Sequence, residues 1–295
     1  MDPHRLAALT AVIDTGTFEA AAAQLAVTPS AISQRIRALE NEIGQVLVVR
    51  AAPCRATPAG EVLIRFSRQQ HLLAAEALAE IRGPDRPAGS RTVVPIAVNA
   101  DSLSTWFGDV LTAVADWSDV LLDVRVEDQE HSTRLLRAGD VLAAVTSEPI
   151  GVQGCSTRPL TAFRYFAVAT PELVARYRGA DGIDWSAMPL VRFNDKDDLQ
   201  HRILERYGVA DAPAHNLPGN DAFLHAIRHG LGWGVGMAGQ IERDLAAGRL
   251  VRLGPDDHVD VMLYWQRWKL RSELLDRLTD AVVAAAGERP VWSGR

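Results

Sequence analysis

Up to Gly44 the apolar positions recur every three or four residues, and two breaks divide them into three helices. Over residues 3–14, Leu6, Leu9, Val12 and Ile13 share one face, and Gly16 ends the helix. Thr17 is an N-cap for an Ala-rich second helix, Phe18 to Leu25. Ala26-Val27-Thr28 interrupts the pattern. Thr28 and Pro29 then open a third helix that runs to about Glu42, with Pro at the first position, where its missing N–H costs nothing. Ile32, Ile36, Leu39 and Ile43 form the buried stripe of this helix. Its other face presents Ser30, Ser33, Gln34 and Arg37, flanked by Arg35, and no acidic residue lies between Thr28 and Leu39. A helix, a short turn and a second helix with a small, polar, cationic face is the helix-turn-helix arrangement. Short side chains allow close entry into a major groove, Gln and Arg reach base edges, and Ser reaches phosphates or bases. The alternative is an ordinary solvated helix face.

Val46 to Val49 reads as a strand and Arg50 to Thr57 as a Pro- and Ala-rich turn, together a wing whose Arg50 and Arg55 are placed to meet phosphate. Thr57 and Pro58 start a helix that reaches about Ile81, roughly 36 Å long at ~1.5 Å per residue. Leu63, Phe66, Leu73 and Ala77 give it a heptad-like seam, interrupted by Gln70. A long amphipathic helix with no domain of its own pairs with a copy of itself. Residues 83–91 have linker composition. From Thr92 the pattern changes to apolar runs (Val93–Val98, Leu121–Val126, Leu142–Thr146, Phe163–Ala169, Leu190–Phe193) alternating with helical stretches, which predicts α/β structure with a mixed sheet.

A chain of 295 residues fits two or three compact units. No apolar run approaches the roughly 18 residues of a membrane span, and the N-terminus lacks the pattern of a signal peptide. Cys54 and Cys155 are far apart and isolated, which suits a reducing cytoplasm and argues against a disulfide framework or a zinc site. The net charge of −6 does not advertise nucleic-acid binding. The first 90 residues hold nine arginines against nine carboxylates, so the remainder carries the whole −6. A DNA surface must therefore come from segregating charge within the first domain.

Two motifs suggest other chemistry and fail on context. Gly234-x-Gly236-x-x-Gly239 matches a dinucleotide fingerprint, but it follows a helix and not a strand, and no ribose-binding acid follows, so no cofactor is expected. His225 and His229 have metal-ligand spacing without a third ligand nearby, so no metal is expected. No GxSxG, Walker loop or Cys–His nucleophile pair has supporting context, and no enzyme activity is expected.

The segment 18–50 resembles the helix-turn-helix of LysR-type transcriptional regulators, on Ala21-Ala22, Leu25, Ser30-Ala31-Ile32-Ser33, Ile36, Leu39-Glu40, Gly44, Leu47 and Arg50. Downstream, VNADSLSTWF (98–107), the stretch 126–145, DDLQ (197–200) and MLYWQRW (262–268) are similar to the ArgP/LysG branch. Cys54 departs from the pattern in the wing, where a second Pro is usual, and Leu217-Pro218-Gly219-Asn220 departs where the branch has Asn-Ser-Ser.

The resemblance implies an all-α-rich winged helix-turn-helix (1–58), a dimerising linker helix (59–82), a hinge (83–91) and a periplasmic-binding-protein-like α/β effector domain (92–295). The effector domain would have one lobe over about 92–162 and 268–295 and the other over about 163–267. The resemblance further implies a cytoplasmic regulator, dimeric or tetrameric, that binds promoter DNA, engages RNA polymerase and senses lysine, arginine or histidine. Its expected output is activation of an amino-acid exporter gene. The DNA-contact candidates are Thr28, Pro29, Ser30, Ser33, Gln34, Arg35, Arg37, Arg50 and Arg55.

For the effector, Asn99, Ala100, Asp101, Ser102 and Ser104 follow the first strand and open a helix whose N–H groups would receive a carboxylate. The plainer reading is that Asp101 or Ser102 only caps that helix. A cationic effector side chain needs acidic partners, for which Glu127, Asp128, Asp197 and Asp198 are the candidates. A different small effector, or a solute-binding or enzymatic α/β protein, are the competing expectations.

Overall fold

The computed structural model describes residues 1–82, 91–127, 132–193, 197–254 and 256–287. The hinge residues 83–90 and Asp128 lie outside these. In chain order the elements are α1 (Pro3–Thr15), α2 (Phe18–Gln24), α3 (Pro29–Ile43), β1 (Val48–Val49), β2 (Arg55–Ala56) and α4 (Pro58–Arg82). They continue with β3 (Thr92–Val98), α5 (Ala100–Leu103), α6 (Phe107–Ala115), β4 (Val120–Val126), α7 (Ser132–Ala138), β5 (Ala143–Thr146) and β6 (Cys155–Ala169). Then come α8 (Pro171–Tyr177), β7 (Arg178–Gly179), β8 (Gly182–Ile183), β9 (Leu190–Arg192), α9 (Leu199–Leu204), β10 (Ala214–Asn216) and α10 (Asn220–Arg228). The last are β11 (Gly234–Met237), α11 (Ala238–Ala246), β12 (Val251–Arg252), β13 (His258–Trp268) and α12 (Glu273–Gly287).

These elements form two compact units. The first comprises residues 1–98, 114–158 and 265–280, and the second residues 99–113, 159–264 and 281–295.

In the first unit, α1–α3 close on a core of Leu6, Leu9, Val12, Ile32, Ile36 and Leu39, joined by Leu47, Val48, Leu63 and Ile64. The caps are those the sequence predicts. Thr17 Oγ1 accepts from Ala20 N–H at 3.1 Å and Thr28 Oγ1 from Ala31 N–H at 3.2 Å, while Gly16 and Gly44 take the left-handed conformation at the helix ends. The wing is a two-stranded hairpin, Val48 opposite Ala56 and Val49 opposite Arg55, rather than one strand beginning at Val46. Cys54 N–H donates to the Gly16 carbonyl at 2.8 Å, tying the wing to the α1–α2 turn.

The expected seam of α4 divides. Leu63 is buried in the helix-turn-helix core, whereas Phe66, Leu73 and Ala77 are exposed, as are Val62, Leu78 and Ile81. Leu63 lies a step round the helix from the other three, toward the face that α1 covers. Also in this unit, β3 pairs in parallel with β4 along its whole length and with β5 through Ile96 and Ala97.

In the second unit β11 and β12 both run antiparallel to β6, and β9 pairs in parallel with β10. β6 is much longer than the run Phe163–Ala169, because its first half holds Ser156, Thr157, Arg158 and Pro159 in succession and so carries neither a continuous apolar run nor an alternating one. Two of the three glycines in the Gly234-x-Gly236-x-x-Gly239 run have a packing reason. A Cβ on Gly234 would stand 2.5 Å from Ile227 Cδ1, and one on Gly236 2.4 Å from Ile241 Cγ2. His225 and His229 stack on each other with centroids 4.0 Å apart, and no group of three metal-ligating side chains occurs among the described residues.

Candidate DNA-binding face and effector site

α3 owes its position to its apolar stripe. Ile32, Ile36 and Leu39 are fully buried, which turns Thr28, Pro29, Ser30, Gln34 and Arg37 to solvent, with Ser33 and Arg35 half-buried beside them. Thr28 and Ser30 hydroxyls lie 2.9 Å apart. Among the described residues no hydrogen bond or ion pair engages the guanidinium of Arg35, Arg37 or Arg55, so their charge is available to a polyanion. Arg50 is exposed and sits 5.1 Å from the Phe18 ring centroid, a cation–π contact that steadies it at the base of the wing. Glu40, an acid on the recognition helix, does not spoil this face. Its carboxylate accepts from Leu47 N–H at 2.9 Å and anchors the start of the wing. Charge segregation therefore replaces a basic net charge.

The second unit holds the other candidates. α5 is a single turn, and Asn99 is its N-cap without a side-chain bond, so neither Asp101 nor Ser102 takes the capping role considered for them. A one-turn helix sums few peptide dipoles. The chemistry of the segment lies in its side chains. Tyr165 of β6 donates its hydroxyl to Asp101 Oδ2 at 2.9 Å. Gln240 of α11 donates from Nε2 to Ser104 Oγ at 3.2 Å and to Asp101 Oδ1 at 3.5 Å. The Gln240 carbonyl oxygen accepts from Met237 N–H at 3.2 Å, which fixes the amide's orientation. In the same turn Ser102 Oγ is fully buried and has no hydrogen-bond partner among the described residues. Trp106, a few residues on, is fully buried and stacked on Phe163 with centroids 6.1 Å apart.

Tyr165 and Gln240 escaped sequence reading because they stand 64 and 139 residues from Asp101 and share no local pattern with it.

The other acids are placed differently. Asp197 accepts from Phe193 N–H at 3.0 Å, Leu199 N–H at 3.3 Å and Gln200 Nε2 at 3.3 Å, so it organises its own loop. Asp198 is the N-cap of α9 and makes no side-chain cap bond. Glu127 belongs to the first unit, where its N–H donates to the Val98 carbonyl at 3.4 Å.

Comparison with known proteins gives these sites a context. Residues 3–61 match the bacterial regulatory helix-turn-helix protein family of lysR type, and residues 87–287 match the LysR substrate binding domain. The chain is 45% identical over 297 residues to the lysine export transcriptional regulatory protein LysG of Corynebacterium glutamicum, covering 98% of this chain and 100% of that protein. The crystal structure of ArgP from Mycobacterium tuberculosis superposes with a TM-score of 0.87 at 46% identity, covering 98% of each chain. Full-length LysG from Corynebacterium glutamicum with bound effector Arg gives a TM-score of 0.81 at 44% identity, covering 98% of this chain and 100% of that one. These relatives are transcription regulators and not enzymes. With both matched domains present and identity sustained over nearly its whole length, the chain belongs to the LysR family of DNA-binding transcription regulators.

Proposed function

We propose that this regulator senses a basic amino acid (lysine, arginine or histidine) and in response activates an amino-acid exporter gene. The observation that carries the reading is the likeness, at 44% identity and TM-score 0.81, to a LysG structure holding arginine as effector. The acidic Asp101, oriented by Tyr165 and Gln240, supports it, because a guanidinium or ammonium needs a fixed carboxylate partner. In this reading Asn99, Ala100, Ser102 and Ser104 complete the polar wall around Asp101. Glu127, Asp128, Asp197 and Asp198 contribute negative potential to the effector domain.

Thr28, Pro29, Ser30, Ser33, Gln34, Arg35 and Arg37 read the operator, and Arg50 and Arg55 grip its phosphates. The working divisions are 1–58 for DNA, 59–82 for dimerisation, 83–91 as hinge and 92–295 for the effector. The exposed apolar positions of α4 support self-pairing into a homodimer, with a homotetramer as the higher assembly. Contact with RNA polymerase and a cytoplasmic location follow from acting at a promoter. No helix among the described residues is long and apolar enough to cross a membrane.

Thermal unfolding with and without ligand tests the effector assignment. A ligand at a hundred times its Kd stabilises by about 2.7 kcal/mol, a plain rise in Tm. If lysine, arginine and histidine at millimolar concentration all leave Tm unchanged while an organic acid or a neutral amino acid raises it, the effector is of that other class.

A further inference from the structure

Helix α4 is held on two sides within the first unit. Toward α1, the Arg68 guanidinium pairs with Asp14, and Thr10 Oγ1 donates to Ser67 Oγ at 3.3 Å. Toward the effector half of the same unit, Arg68 Nη1 donates to Asp140 at 2.7 Å in the turn between α7 and β5. Arg65 Nη1 donates to the Arg137 carbonyl at 2.8 Å, and its guanidinium lies 4.9 Å from the Trp268 ring centroid. Farther along, the Glu76 carboxylate accepts from Ser272 Oγ at 2.7 Å and from Leu274 N–H at 3.1 Å, where α12 begins. The two surfaces approach so closely at Gly139 that a Cβ there would stand 2.6 Å from Arg65 Cα. Gly139 also has φ +73°.

Arg68 is the pivot of these contacts. Its planar fork has donors enough for two carboxylates at once. Its side chain is only 15% exposed, against 41% for Asp14 and 30% for Asp140, so the guanidinium is sheltered while both acids keep part of their contact with water. One positive charge joins two negative ones, and both acids regain full hydration when the surfaces part. The contact is thus specific when closed and open to release.

We propose that Arg68 clamps the helix-turn-helix and its linker helix onto the effector domain, through Asp14 on one side and Asp140 on the other. The clamp fixes the angle at which each copy presents α3 to DNA. Its release changes the half-site separation that a pair of copies can span. This rests on the reading that the chain acts as a pair on two half-sites.

The test uses the full-length chain and duplexes from its own upstream DNA, either whole or cut to one half-site. Asp140→Asn and Arg68→Ala are expected to bind the half-site within twofold of the wild type, to shift whole-site affinity fivefold or more, and to alter the nuclease protection pattern. Asp14→Asn, which breaks the other arm, is expected to shift whole-site binding in the same direction, and Asp140→Glu to behave as the wild type. The clamp is refuted if these variants leave whole-site binding within twofold. It is equally refuted if half-site and whole-site affinities fall in the same proportion, the result expected when the fold or the base contacts are damaged. If the wild type itself binds half and whole sites equally well, the paired reading fails first and the clamp's role falls with it.

Discussion

The Glu40 carboxylate accepts a hydrogen bond from the Leu47 backbone N–H at 2.9 Å, linking the end of the recognition helix to the first residues of the wing. Glu40 is half-buried and Leu47 fully buried, so the bond is shielded and sets the wing's starting point. Thr57 continues the link from the other side of the wing, donating to the Val46 carbonyl at 2.7 Å. Glu40→Ala leaves Leu47 N–H unsatisfied, at a cost of about 1–3 kcal/mol. Glu40→Gln keeps an acceptor and should recover most of that loss. Chemical denaturation of the three proteins, with Glu40→Ala less stable and Glu40→Gln close to wild type, checks the assignment.

With Gln34 at a base edge and Arg55 at a phosphate, as proposed above, the two classes of DNA contact predict separable defects. Gln34→Ala removes a base-edge group and should cost about 1–3 kcal/mol on the operator while relaxing preference at one base pair. Arg55→Ala removes a phosphate contact, so binding should weaken on all sequences and the salt slope should fall by about one. Titrations on operator and scrambled duplexes at several salt concentrations distinguish the two. An Arg55→Ala variant with an unchanged salt slope would remove the wing arginine from the phosphate contacts.

The N-terminal elements were legible because their determinants are local. Thr17, Thr28 and Pro29 mark helix starts, Gly16 and Gly44 mark ends, and the spacing of Ile32, Ile36 and Leu39 fixes which face is buried. Polar strands and long-range contacts were not legible. The first half of β6 carries Ser156, Thr157, Arg158 and Pro159, residues that hide a strand from any hydropathy pattern. The Asp101–Tyr165–Gln240 cluster draws on three elements distant in sequence, and only tertiary structure assembles it. Asp197 shows the converse. The sequence offers it as a partner for the effector's cation, and in the structure it accepts from Phe193 N–H and Leu199 N–H in its own loop.

Asp244 predicts an acid-sensitive element in the second unit. It is 5% exposed and accepts from Arg228 Nε and Arg249 Nε, both at 2.8 Å. Burial pushes its carboxyl up, but the hydrogen bonds and charges of Arg249 and Arg228 outweigh burial and hold it below the usual aspartate value. A carboxylate with a depressed folded pKa contributes stability above its unfolded pKa of about 3.9, and that contribution fades as pH falls through the lower folded value. Asp244→Asn should therefore destabilise the protein by about 1–3 kcal/mol at pH 7 and progressively less below pH about 4. Denaturation of both proteins across pH 3–7 reads this out, and a gap that widens toward low pH would contradict it.

The two cysteines should differ in reactivity. Cys155 is buried, and burial pushes its thiol up to about 12 despite Arg65 and Lys269 nearby. It is therefore protonated across the physiological range, and only the thiolate alkylates. Cys54 is half-exposed in the wing. Iodoacetamide at pH 8 should modify Cys54 in the folded protein and spare Cys155 until denaturant is added, and peptide mass analysis gives the ratio directly. Operator DNA bound across the wing should slow modification of Cys54 as well.

In the proposed function Asp101 is the carboxylate that meets the effector's cation, and on that reading its neighbours predict how affinity divides. Asp101→Asn removes the charge but keeps two polar atoms for Tyr165 and Gln240, and charge-assisted bonds are roughly twice as strong as neutral ones. Arginine affinity should fall about 10- to 100-fold, the equivalent of about 1.4–2.8 kcal/mol, with little change in the melting temperature of the free protein. Tyr165→Phe leaves the charge and removes only its orientation, so a smaller loss of about three- to tenfold is expected. The order matters more than either value. Calorimetric titration of arginine into the wild type and both variants should rank Asp101→Asn below Tyr165→Phe, and both below wild type. If Tyr165→Phe proves the more damaging, the tyrosine hydroxyl and not the Asp101 charge is the main contact. If neither variant loses affinity, the effector's cation is held elsewhere.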